Sequence, residues 1–291
     1  MTKKTIKQVI AAGMVLLSIT MPCISVSANY IDNAPVIYVE DDSQLPPAMR
    51  KNMENWDEVE QRLKQKEINF QKFLNQEYHN RLISRYNQGL MPYAMVYPSV
   101  HDIIQHPQET DYYCGYSALQ SILEYYNIDM TQEEIAEEAY DVDSPLAWFA
   151  GSQSQATNTR YYPAATYLNS KVDHTYSPYN SYFGTFTEDE LSEKLKSDIA
   201  IDEVPVLICG ISKKEVTAAS HLPGYTTNTD ISHWIVAYGI TWDIDQQKVT
   251  EVRYADPAKS EKVSWSASIK AYDKVKLETM YSFSSGHGII W

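Results

Sequence analysis

Apolar side chains recur every three to four positions from Trp56 through Val59, Leu63, Phe70, Phe73 and Leu74 to Tyr78, Leu82, Ile83 and Tyr86. That is the period of one helical face. No Pro or Gly interrupts 49–88, and Gly89 and Pro92 end the run, so a helix or helix pair is expected there. Its single apolar stripe needs a surface to cover. Further on, Ala118, Leu119, Ile122, Leu123 and Tyr126 predict a helix over 116–127. Thr131-Gln132-Glu133-Glu134 and Thr187-Glu188-Asp189-Glu190 have the form of capping boxes. They open helices expected to reach about Tyr140 and about Asp198. Between them, 141–184 is rich in Ser, Asn, Tyr, Pro and Gly and reads as long loops and short turns.

The period then changes. Val204–Ile208 and His233–Ile240 are apolar runs, and Lys248–Tyr254 alternates before Asp256-Pro257. These are expected strands. Val263–Trp265 and Tyr281–Phe283 are shorter candidates. Helices followed by strands, with no internal repeat, define an α+β order.

The N-terminus looks like an export signal. Lys3, Lys4 and Lys7 precede an apolar stretch from Val9 to Met21, and Val26-Ser27-Ala28 offers small residues at the recognition positions. Cleavage is expected after Ala28. The alternative, a retained anchor, is disfavoured by Pro22 and by the shortness of the run. The expected organisation is a signal peptide at 1–28, a helical extension or pro-segment at 29–100 with an extended Pro- and acid-rich lead-in, and a catalytic domain at 101–291. The expected location is extracellular, with no membrane partner once the signal is gone.

Charge narrows the partners. The chain carries 24 basic against 38 acidic residues, a net charge of −14, and loss of the signal lysines makes it more acidic still. Nucleic acids and anionic membranes attract basic surfaces, so neither is expected as a partner. Of the three cysteines, Cys23 lies in the signal, leaving Cys114 and Cys209. They either form one bridge or leave Cys114 as a free thiol; without a bridge, Cys209 reads as a packed core residue.

Cys114 stands just before a helix. Unpaired N–H groups and the positive dipole end at a helix start favour an anion, and the thiolate is the reactive form of cysteine. Gly115 permits a substrate carbonyl to approach the backbone. The Cys114 N–H and the side-chain amide of Gln108, six residues upstream, could then hold an oxyanion. His233 heads an apolar strand, and Asp256 ends a neighbouring one. Paired antiparallel strands would let the carboxylate set the imidazole tautomer. Taken singly, each residue has an ordinary reading: a buried thiol, a strand-end histidine, a turn-starting Asp-Pro. Their joint order carries the chemistry. No metal or other cofactor is expected, because neither His-Glu-x-x-His nor any Cys/His cluster at ligand spacing occurs, and His174 and His221 stand alone. Trp148, Trp234, Tyr161 and Tyr162 would either line a cleft or fill the core.

Gln108-x5-Cys114-Gly115 before a helix, then His233-Trp-Ile-Val-Ala-Tyr-Gly, then a strand into Asp256-Pro257, resembles the papain-like cysteine peptidases of the double-glycine (bacteriocin-leader) type, in a stand-alone secreted form. The resemblance covers about residues 100–265. It implies a papain-like fold, with a helical half carrying Cys114 and an antiparallel sheet half carrying His233 and Asp256. It also implies roles: Cys114 as nucleophile, His233 as base, Asp256 as orienting acid and Gln108 as oxyanion donor, acting on a peptide or protein. Tyr116 departs from the family, where a small residue or Pro commonly follows Cys-Gly. No GxxxxGK[ST] motif accompanies the chain, so leader specificity does not carry over. Residues 49–88 would be an inhibitory pro-segment or a permanent brace. Two alternatives are a cell-wall amidase or endopeptidase of related fold, and a non-catalytic papain-like binding protein whose tyrosine-rich 141–184 region makes the contact.

Overall fold

The computed structural model describes residues 95–139, 152–153, 160–161, 163–172, 179, 181–182, 186–243 and 246–291, with isolated helical positions at 65, 68, 72 and 76. The signal segment and most of the expected 49–88 helix lie outside the described residues. In chain order the elements are β1 (Met95–Val96), α1 (Cys114–Tyr125), α2 (Gln132–Ala139), β2 (Ser152–Gln153), β3 (Arg160–Tyr161), α3 (Pro163–Lys171), β4 (Ser181–Tyr182) and α4 (Glu188–Leu195). A π-helical turn (Lys196–Asp202) follows. Then come β5 (Val206–Ser212), β6 (Ile231–Asp243), β7 (Lys248–Ala255), β8 (Tyr272–Lys276), α5 (Leu277–Ser284) and β9 (Gly288–Ile290).

One antiparallel sheet runs β4-β9-β5-β6-β7-β8, with β1 added to the far end of β6, and β2 and β3 pair separately. β6 is the spine. Its first half pairs with β5, from Ser212↔Ile231 to Val206↔Ala237. Its second half pairs with β7, down to Asp243↔Lys248. Beyond the point where β5 leaves, the same edge of β6 accepts the segment 95–100. Val100 N–H donates to the Tyr238 carbonyl at 2.7 Å, Ile240 N–H to the Pro98 carbonyl at 3.0 Å, and Met95 stands opposite Asp243. Arg253 of β7 reaches across Gly239 and donates from Nη2 to the carbonyls of Pro98 (2.6 Å) and Ile240 (3.0 Å).

The helix α1 packs on β6. Its Ala118, Leu119, Ile122 and Leu123 are fully buried, in one hydrophobic core with Ile208, Ile235, Val236 and Val252 of the sheet. Each large aliphatic side chain so buried contributes about 1.5–3 kcal/mol. This layer holds the start of α1 against the start of β6. At the sheet edge, β8 exposes Lys274 and Lys276, charges that discourage further strand addition.

Several expectations hold locally. Thr131 accepts from Glu134 N–H while Glu134 Oε2 accepts from Thr131 N–H, and Thr187 and Glu190 repeat this reciprocal cap before α4. Others are corrected. Tyr281–Phe283 lies in α5, because Leu277, Met280, Phe283 and Ser284 form a buried face at helical spacing. Val263–Trp265 is a chain of turns closed by Val263 N–H to Ser260 O and Ser266 N–H to Val263 O. Within 141–184 the described residues include the helix α3. Pro163 at its first position has a preset φ and lacks an N–H that would be unpaired there.

Gly210, opposite His233 on β5, has a packing requirement. A Cβ there would lie 2.2 Å from the Phe283 carbonyl oxygen, which is backbone and cannot swing aside. Gly210→Ala is therefore expected to destabilise the fold by about 2–3 kcal/mol, read as a lower urea midpoint with an unchanged slope.

Candidate active site

Cys114 is the first residue of α1, two positions earlier than the pattern predicted. Tyr113 occupies the N-cap and makes no side-chain capping bond, since its phenol cannot fold back as a Ser or Asp would. The first N–H groups of the helix thus receive neither an intrahelical acceptor nor a side-chain cap from Tyr113. Cys114 is half-buried and Cys209 buried, and both are free thiols. The bridge that would have removed the nucleophile is not formed. Burial, joined by the nearby Cys114, pushes the Cys209 thiol well above its ordinary range, so it is an inert core group.

His233 is buried near the start of β6, and its Nε2 is 2.8 Å from Asp256 Oδ1. With Nε2 on the carboxylate, the other ring nitrogen is left for Cys114, which lies close enough to act on His233 electrostatically. Burial pulls the imidazolium down. The charge and hydrogen bond of Asp256, with the nearby Cys114, outweigh it and push His233 up from 6.5 to about 10. The arrangement favours a protonated ring on Asp256.

Asp256 directly follows β7, the antiparallel neighbour of β6. Its Oδ1 also accepts from Ala258 N–H at 2.9 Å, and its Oδ2 accepts from Tyr225 OH at 2.9 Å. Its own N–H donates to the Ala271 carbonyl. A buried carboxylate needs this number of donors. Tyr225 and Trp265 flank the imidazole edge-on, with ring centroids 5.9 Å and 6.5 Å from it. The sequence reading passed over both. Tyr225 lies in the long β5–β6 connection, where only the preceding Pro223-Gly224 marks a built turn, and Trp265 sits in the segment misread as a strand.

Gln108 is buried and brought to the same corner. Its Nε2 donates to the Thr110 carbonyl at 2.7 Å, and its Oε1 is buried without a partner. Turning the amide over would set oxygen against oxygen, so the NH2 group faces Thr110 and has one further hydrogen to give. The loop that carries it is welded on both sides. Toward the helices, Gln132 accepts from Glu109 N–H (3.0 Å) and donates to the Pro107 carbonyl (2.9 Å), and His106 pairs with Glu124 of α1. Toward the sheet, Gln105 donates to the Asp256 carbonyl (2.9 Å), Gln108 N–H to that of Pro257 (3.0 Å), and Ser260 Oγ to that of Gln108 (2.6 Å). Tyr116, the departure noted after Cys-Gly, is buried with its ring edge-on to Tyr113 at 4.9 Å. Among the described residues no three His, Cys, Asp or Glu side chains gather as a metal ligand set.

An α+β domain with a free thiol at a helix tip beside a sheet-borne imidazole, itself bonded to a carboxylate, has the layout of a cysteine hydrolase. The chain belongs to the Peptidase_C39 like family, whose model matches residues 100–285. That membership supports a cysteine peptidase, and with it peptide or protein substrates. Neither the comparison with curated proteins nor that with solved structures gives a match.

The raised His233 has a thermodynamic signature that is cleanest in Cys114→Ser, where no thiolate titrates. With Asp256 still in place, its charge and hydrogen bond are expected to hold the ring above its ordinary 6.5 against burial there. The folded state therefore keeps a proton that the unfolded chain loses, so this stabilisation is full below about 6.5 and drains away as pH rises towards the folded value. The urea midpoint of Cys114→Ser is expected to fall between about pH 6 and about pH 9, and a further His233→Gln change should flatten that slope.

Proposed function

We propose that the protein is a secreted cysteine peptidase that hydrolyses peptide bonds through Cys114, His233 and Asp256, with Gln108 completing the oxyanion site. The observation that carries this reading is the buried His233, with one ring nitrogen on Asp256 and the free thiol of Cys114 close enough to shift its proton affinity. The sulfur attacks the scissile carbonyl, and the developing oxyanion is received by the Cys114 backbone N–H and the remaining amide hydrogen of Gln108. The imidazolium of His233 gives its proton to the leaving amine. The same ring, now neutral, takes a proton from water as that water attacks the thioester, and the free sulfur is restored. Asp256 holds the tautomer and orientation throughout.

Secretion rests on the signal-like segment 1–28, with cleavage after Ala28. Residues 29–100 would act as a pro-segment or a brace. The pairing of 95–100 with β6 favours a processing cut before Met95, because a later one would strip a strand from the catalytic sheet.

Cys114→Ser should lower kcat/KM on a peptide library by about 1,000-fold or more, and Gln108→Ala should lower kcat by about 100-fold. The wild-type thiol should react with iodoacetamide in the folded protein at neutral pH, whereas Cys209 should label only on unfolding. Full activity in Cys114→Ser would sink the assignment. Release of wall fragments with no peptide-library cleavage would move it to the wall-amidase alternative.

A further inference from the structure

We propose that Tyr225 is a positioning residue of this site: its hydroxyl holds Oδ2 of Asp256, draws off part of the carboxylate's charge, and so sets how tightly His233 keeps its proton. The inference rests on the Cys114–His233–Asp256 reading and deepens it.

The geometry is specific. Oδ1 serves His233 Nε2 and Ala258 N–H, while Oδ2 receives Tyr225 OH at 2.9 Å. The two oxygens thus face opposite demands, and each donor to Oδ2 weakens the pull that Oδ1 exerts on the ring. Tyr225 is itself fixed. It is buried, and its ring lies against Trp265 at 5.3 Å as well as against His233. The turn that delivers it is pinned by Leu222 N–H on Ser212 Oγ at 2.9 Å. It also needs Gly224, whose φ of +82° suits glycine and whose Cβ, if present, would lie 2.4 Å from the Ser268 carbonyl oxygen. Burial, then the charge of Asp256, holds the phenol well above its ordinary 10, so it stays a donor across the working range. Cys114 on α1 and Tyr254 on β7 are the other titratable groups acting on Tyr225 or His233, while Cys209 on β5 feels Cys114.

A tyrosine that merely fills space would tolerate loss of its hydroxyl. A charge-sharing tyrosine would not. In Tyr225→Phe the carboxylate's charge falls back on His233. The ring then yields its proton to the leaving amine less readily, and the carboxylate loses one of its restraints. kcat should drop about tenfold, the rate equivalent of one hydrogen bond to a charged group, with KM within about twofold. The alkaline step in the pH profile should move up by about half a unit or more.

The step is to be read twice, by hydrolysis of a peptide library and by the rate of iodoacetamide labelling of Cys114. The second readout needs no substrate, so a protein that cleaves no peptide still tests this inference. An upward shift in Tyr225→Phe that vanishes in the Asp256→Asn background, where no charge remains to share, is the expected result. An unmoved or lowered step, or an equal shift in Asp256→Asn, overturns the inference. Should Tyr225→Phe fail to fold, 3-fluorotyrosine at position 225 keeps the shape and strengthens the donor. The step must then move down, and failure to do so is equally decisive against the proposal.

Discussion

The structure depends on one contact: the hydrogen bond from His233 to Asp256, made across two neighbouring strands in a place that water does not reach. Both groups are buried, and a charged pair there persists only when every remaining lone pair is answered. The architecture answers them in turn, with Ala258 N–H at Oδ1, Tyr225 OH at Oδ2 and the Cys114 side chain at the imidazole. Each answer comes from a different element, so the pair draws α1, the β5–β6 connection and the turn after β7 to one point.

The loop at 105–110 explains how a helical layer and a sheet are kept in register at that point. It touches α1 through Ser117 and Glu124, α2 through Gln132, and the turn after β7 through Gln105, Gln108 and Ser260. Most of these bonds end on backbone carbonyls or N–H groups, so the loop reads the path of the chain more than its side chains. Gln108 belongs to this weld as well as to the proposed oxyanion site, which gives its amide a fixed starting position.

Much of this was legible in the sequence. The capping boxes at Thr131 and Thr187, the apolar run after His233 and the Asp256-Pro257 stop each placed an element, because each rests on a local rule of spacing. What escaped depended on distance in space. Tyr225 meets Asp256 across 31 residues, and nothing in its neighbourhood marks it as a donor. Trp265 lies in turns closed by serines, which short-window alternation mistakes for a strand. α5 was missed in part for the opposite reason: its window is short and aromatic, and only the spacing of Leu277, Met280 and Ser284 around Tyr281 and Phe283 separates helix from strand. The strands β1, β4 and β9 are two or three residues long and carry too little pattern to see.

The docking of 95–100 on β6 fixes a point of entry. Met95 is seated opposite Asp243, ten residues along β6 from His233, or about 33 Å of extended strand. Whatever the chain carries ahead of Met95 therefore joins the catalytic sheet at the end of the spine remote from the imidazole.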